Sequence, residues 1–178
     1  EISDESIFNL TSKWNTEEGE TIQLEDLKGK TLVMVMIYTT CKAACPRLVA
    51  DMRNIESLVP KQNLNDLRFV LVSIDPETDS PKVLKEHAAT LGVRSSNWHF
   101  LTGDKDYIYE IANKGFNLYA SQNKKVAGGF EHSGFFALID KDGNIRCRKD
   151  EFGNPILYYD GLEKSGIDAI KEDIKILL

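Results

Sequence analysis

Leu32-Val-Met-Val-Met-Ile-Tyr38-Thr-Thr-Cys41-Lys-Ala-Ala-Cys45-Pro46 is the stretch that decides how this chain folds. Leu32 to Tyr38 is the longest apolar run in the sequence. It has strand length, and its lack of polar alternation fits a strand covered on both faces. At Pro46 the period changes. Leu48, Met52, Ile55 and Val59 are spaced by four, three and four, which is one face of a helix, and Pro60 closes it.

Working outward, the same grammar repeats. Leu67 to Ile74 is a second buried strand. Ser80-Pro81 starts a helix whose apolar face is Val83, Leu84, Ala88 and Leu91, and Gly92 stops it. Trp98 to Leu101 is a short strand. Asp104 caps a helix carrying Ile108, Ile111 and Ala112, with Gly115 past its end. The polar segment Ser121 to Glu131, with Gly128-Gly129, is expected to be a mobile loop. Phe135 to Ile139 is a strand, Asp142-Gly143 a hairpin turn, and Ile145 to Arg148 the returning partner. Ile167, Ile170, Ile174 and Leu177 mark a last helix. On the N-terminal side, Ile2 to Lys30 predicts a short hairpin and a turn leading into the core. Together these elements predict one α/β domain over residues 1–178, with a mixed central sheet flanked by helices and an N-terminal hairpin extension.

Composition narrows the function. The 178 residues are 42% hydrophobic and 28% charged, an ordinary globular balance. The net charge of −6, with no basic block, argues against nucleic acid as a partner. No apolar stretch is long enough to span a membrane. The first residue is Glu1 rather than Met, so the sequence is expected to be processed or trimmed and any signal or membrane anchor falls outside it. The three cysteines are too few for a disulfide scaffold and divide into a close pair, Cys41 and Cys45, and a distant Cys147.

The pair lies between a buried strand and a helix start. There the helix dipole, aided by Lys42, favours thiolate. Four-residue spacing brings both sulfurs onto one face if the turn is helical, so they can share a metal ion or form a disulfide. A closed structural zinc site needs four protein ligands, and no second cysteine pair exists. Two thiolates and an imidazole suit copper, as Cu(I) or Cu(II). The candidate imidazole is His132. In a thioredoxin-like fold the loop before the Phe135 strand faces the cysteine motif. Glu131-His132-Ser133 stands where thiol oxidoreductases of that fold carry a cis-proline. Asp75, just after the second core strand, is a candidate acceptor for orienting a ligand.

Four blocks in order resemble the Sco/SenC family: Tyr38 to Pro46, Val72-Ser-Ile-Asp-Pro-Glu-Thr-Asp-Ser-Pro81, Trp98-His-Phe-Leu-Thr-Gly103 and His132-Ser-Gly-Phe-Phe-Ala-Leu-Ile-Asp-Lys-Asp-Gly143. The similarity runs from about Phe8 to the C-terminal helix. It implies a thioredoxin-like fold, with Cys41, Cys45 and His132 as copper ligands and Asp75 and Asp79 in an acidic loop near them. The implied function is that of a metallochaperone rather than a turnover enzyme, with the copper-bearing subunit of cytochrome c oxidase, or another copper acceptor, as partner. The implied location is extracytoplasmic: the periplasm, often by membrane anchor, or the mitochondrial intermembrane space in a eukaryote. The family often has Pro-Asp-Val between the cysteines, whereas this chain has Lys-Ala-Ala.

The alternative is a thiol-disulfide reductase that keeps an acceptor's cysteines reduced. Cys41 would attack and Cys45 resolve, served by a thioredoxin-like reductant. Peroxiredoxin chemistry is set aside because no proline precedes Cys45. Cys147 reads as a bystander in a strand, His87 and His99 as surface or structural residues, Asp79 as a capping or turn residue, and Lys124 and Lys125 as solvated loop charges.

Overall fold

A computed structural model describes residues 6–9, 12–42, 44–112, 120–122, 130–132 and 134–178, with residues 9, 110, 120–122 and 130–132 described by backbone alone. The N-terminal hairpin is present as β1 (Trp14–Thr16) and β2 (Thr21–Ile22). The decisive apolar run is β3 (Thr31–Ile37), and every residue of it is buried. It leads into α1 (Ala44–Leu58), whose Leu48, Met52 and Ile55 enter the core. The next units are β4 (Leu67–Ser73), α2 (Pro81–Thr90), β5 (Trp98–Thr102) and α3 (Lys105–Glu110).

The predicted caps form. Ser80 Oγ accepts from the Val83 N–H at 3.3 Å, and the Asp104 carboxylate accepts from the Tyr107 N–H at 3.0 Å. Each bond satisfies a donor that the first helical turn would otherwise leave unpaired.

The chain continues through β6 (Ala120–Gln122), β7 (Phe130–His132), β8 (Phe135–Ile139), β9 (Ile145–Arg146), β10 (Arg148–Lys149), β11 (Pro155–Ile156), β12 (Tyr159–Asp160) and α4 (Lys164–Leu177). The central sheet runs β12-β8-β3-β4-β5-β1-β2, with β9 on β8. Its middle three strands are parallel, and β8, β12 and the N-terminal hairpin pair antiparallel. One continuous hydrophobic core reaches from Ile7 to Ile174. α1 is tied to the C-terminal end of α2 by Arg53 Nη1 donating to the Leu91 carbonyl at 3.2 Å. α4 flanks α1, and Ile55 and Ile174 share a groove between them.

Two expectations change. The supposed loop from Ser121 to Glu131 is bounded by a hairpin in which Ala120 pairs with His132 and Gln122 with Phe130. Strand pairing uses backbone groups, and strands of three residues, Ala-Ser-Gln and Phe-Glu-His, are too short to carry an alternating signal. Gly128 and Gly129, like Lys124 and Lys125, lie outside the described residues, as does Gly115. The return strand predicted over Ile145 to Arg148 is also split. β9 ends at Arg146, and Arg148 pairs with Ile156 of β11 instead of continuing along β8. The Arg148 guanidinium is held by Asp173 and Glu172 of α4, and this tertiary ion pair has no local signature.

The register sets the functional end. Ile37 pairs with Ser73, so the chain leaves β3 and β4 at one level. Just beyond, the Ile74 N–H donates to the Ile37 carbonyl at 2.9 Å. Loops at the carboxyl ends of parallel strands are where open α/β sheets place their chemistry.

Candidate metal and thiol centre

Tyr38 to Cys41 forms a turn closed by the Cys41 N–H donating to the Tyr38 carbonyl at 3.1 Å. Cys41 therefore precedes α1, and Cys45 lies in its first turn. The Cys45 N–H donates to Cys41 Sγ at 3.4 Å, so the sulfur accepts from a donor that the helix start leaves free. Both cysteines are buried and reduced, Cys41 with 8% and Cys45 with 0% of its surface exposed. The predicted convergence of the two side chains is thus present, although Cys41 and Lys42 lie outside the helix.

The electrostatics differ from the simple helix-dipole expectation. The Cys45 thiol donates to Cys41, which pushes its pKa well above the ordinary 9.0. Burial pushes in the same direction, and the charge on Asp79 adds to it. Lys42 is exposed to water, where its charge is screened. The pair is asymmetric: Cys45 keeps its proton and Cys41 is the acceptor. The Tyr38 hydroxyl is pushed up to about 12 by burial, by the charge of Cys41 and by a hydrogen bond to it. A deprotonated Cys41 is therefore met by donors from Cys45 and Tyr38.

Asp75 and Asp79 both arrive at this end of the sheet, and both are buried. The Asp75 carbonyl accepts from the N–H groups of Thr78 at 3.1 Å and Asp79 at 2.8 Å, closing the loop between β4 and α2. Among the described residues its carboxylate makes no hydrogen bond to either cysteine. Asp79 does more than the turn role expected of it. Its carboxylate accepts from the Thr39 N–H at 3.1 Å, from the Thr39 hydroxyl, and from the Ser73 hydroxyl at 2.7 Å. Thr39 lies in the turn that delivers Cys41. Neither Tyr38 nor Thr39 stood out in the sequence, because an apolar run and a Thr-Thr pair give no sign of what they face.

His132 ends β7, and its side chain lies outside the described residues. Its backbone placement follows from topology. β8 runs antiparallel to β3, with Met34 opposite Ala137. The chain just before Phe135 therefore lies at the end of the sheet where β3 delivers Cys41. Among the described residues no group of three histidine, cysteine, aspartate or glutamate side chains is arranged around a metal position. What the described donor set supplies is two sulfurs in mutual contact, and soft thiolates of this kind suit Cu(I).

The remaining candidates lie elsewhere. Cys147 is exposed and follows Arg146, which pairs with Leu138 near the start of β3. At about 3.3 Å per strand residue that is more than about 13 Å from the Cys41 end. His87 on α2 and His99 on β5 each have a buried Nε2 without a hydrogen-bond partner. Burial pulls the pKa of both below the ordinary 6.5. For His87 the charges of Asp79 and Cys41 pull the other way, so this helix residue senses the centre from a distance.

Comparison with known proteins gives a consistent answer. The family described as SCO1/SenC matches residues 5–165. The SCO1 protein homolog of Bacillus subtilis strain 168 is 33% identical over 165 residues, covering 91% of this chain and 78% of that protein. A SCO1/SenC family lipoprotein from Bacillus anthracis strain Ames superposes with a TM-score of 0.79 at 26% identity, covering 99% of each chain. BsSco, described as having a disulfide switch and as a member of the Sco family of cytochrome c oxidase assembly proteins, gives 0.76 at 29% identity over 98% of this chain and 96% of that one. Copper-bound yeast Sco1 gives 0.64 at 25% identity over 93% and 87%. The mixed sheet is that of these thioredoxin-like proteins. With the cysteine pair at the end of its third strand and the family match spanning most of its length, the chain belongs to the SCO1/SenC family.

Proposed function

We propose that this protein is a copper-binding metallochaperone that assists assembly of a copper centre in cytochrome c oxidase, with Cys41, Cys45 and His132 as ligands. The observation that carries this reading is that Cys41 Sγ, at the start of α1, accepts from both the backbone N–H and the thiol of the buried Cys45. Copper bound to yeast Sco1 and the oxidase-assembly role of BsSco support it. Copper is cargo here. Its arrival replaces the Cys45 proton, so the two sulfurs bind as thiolates. His132 stands two residues before Gly134, next to the end of β8 that lies level with the Cys41 end of β3, which supports it as the third donor. A ligand on a separate hairpin gives an acceptor a place to begin exchange without first breaking both thiolate bonds. The lipoprotein nature of the Bacillus anthracis relative supports an anchored, extracytoplasmic location.

The test is a copper titration of reduced protein. One copper per chain is expected, with a strong sulfur-to-copper charge-transfer band for Cu(II). His132→Ala should lose or weaken the band while the far-UV circular dichroism is unchanged. An unchanged spectrum and affinity in that variant would exclude His132.

The asymmetry of the pair favours a second reading, thiol-disulfide reduction of an acceptor's cysteines. Cys41 thiolate would attack a target disulfide, releasing one target thiolate and forming a mixed disulfide. Cys45, after giving up its proton, would attack the Cys41 sulfur, releasing the second target thiolate and leaving a Cys41–Cys45 disulfide. A thioredoxin-like reductant would restore the pair. Reduced protein that binds no copper but rapidly reduces a protein disulfide would establish this reading instead.

A further inference from the structure

Asp79 is fully buried, and its partners among the described residues are neutral: the N–H and hydroxyl of Thr39 and the hydroxyl of Ser73. A carboxylate taken out of water must be compensated by such bonds. The partners come from separate segments. Ser73 ends β4, Thr39 follows β3, and Asp79 itself precedes Ser80, the cap of α2. One side chain therefore ties three segments together at the functional end of the sheet.

The geometry of the cysteine pair depends on that tie. Cys45 is fixed by α1 and has no exposed surface. Cys41 is carried by the turn from Tyr38, and Thr39 lies inside that turn. We propose that Asp79 is a positioning residue: by holding Thr39 it sets the approach of the Cys41 sulfur to Cys45. This rests on the assignment of Cys41 and Cys45 as the working pair.

The consequence is thermodynamic. Closing the disulfide joins the two sulfurs and releases two protons and two electrons, which pass to a small disulfide such as oxidised dithiothreitol. Holding the sulfurs together raises their effective concentration toward each other and favours closure. Loosening the turn makes the pair easier to reduce.

The experiment measures the reduction potential of the pair in dithiothreitol redox buffers, with thiol counting, for wild type, Asp79→Ala, Asp79→Asn and Thr39→Val. Asp79→Ala should weaken the disulfide about tenfold, a shift of about 30 mV to less negative potential. Asp79→Asn should restore most of the wild-type value, because its amide oxygen still accepts from the Thr39 N–H. Thr39→Val should shift in the same direction by less. A wild-type potential in folded Asp79→Ala overturns the proposal. So does an equal shift in Asp79→Asn, which would assign the effect to charge alone. If Asp79→Ala does not fold, an unchanged potential in Thr39→Val overturns it. If the wild-type pair forms no reversible disulfide, the working-pair assignment fails and the proposal fails with it. If wild type does form one and Asp79→Ala matches it, only the role of Asp79 fails.

Discussion

The protonated state of Cys45 makes copper affinity depend on pH in a way that can be worked out. The bond to Cys41, burial and the charge of Asp79 all hold the Cys45 thiol above its ordinary 9.0. Between about pH 6 and about pH 8 the residue is therefore a thiol in the copper-free protein. A metal bound through its sulfur must displace that proton. Raising the pH by one unit makes the displaced proton about ten times less available, so the apparent binding constant rises about tenfold, or about 1.4 kcal/mol, for each unit. The dependence should persist across the whole window, because Cys45 does not titrate within it. Any proton on Cys41 adds to the slope. The assay is competition for Cu(I) against a chelator of known pH dependence, at several pH values and constant ionic strength. Cys45→Ala should bind more weakly and lose about one unit of slope. A wild-type affinity that does not change with pH would refute the reasoning, as would a Cys45→Ala protein with the full wild-type slope.

Cys147→Ala should keep both the copper stoichiometry and the copper spectrum, since Cys147 lies toward the opposite end of β3; loss of binding would relocate the site. Asp173 accepts from Arg148 Nε at 2.8 Å and from the Tyr159 hydroxyl at 2.6 Å, so Asp173→Ala should cost about 2–3 kcal/mol in urea unfolding. The Arg148 guanidinium beside Asp173 holds its carboxyl below the usual 3.8, so its contribution is present above about pH 4 and is lost as the pH falls through the lower folded value. Wild type should accordingly lose an acid-dependent part of its stability that Asp173→Ala lacks, which urea unfolding at several acidic pH values will detect. Gly166→Ala should be destabilising although alanine is normally the better helix former: its Cβ would sit 2.7 Å from the Asp160 backbone nitrogen. A raised melting temperature in that variant would show that β12 and α4 can move apart freely.

The alternation of buried strands and amphipathic helices was legible because it is local. The run from Leu32 to Tyr38 must be covered on both faces wherever it lies, and Leu48, Met52 and Ile55 share a face in any helix. Ser80 and Asp104 were readable as caps because a cap answers donors within three residues of itself. The cysteine pair was legible for the same reason of short range. Tertiary structure alone decided what surrounds that pair. The tie from Asp79 to Thr39 spans 40 residues of sequence, and it exists because parallel pairing brings Ile37 level with Ser73. The direction of the Cys45 shift required a hydrogen bond to Cys41 and burial that no spacing rule contains, and these outweigh the lowering bond with the Tyr38 backbone. The split of the strand after Arg146 came with Arg148 reaching Asp173 on α4. Periodicity records which face of an element is buried; the identity of the group buried against it is set by folding, which brings distant segments within bonding range.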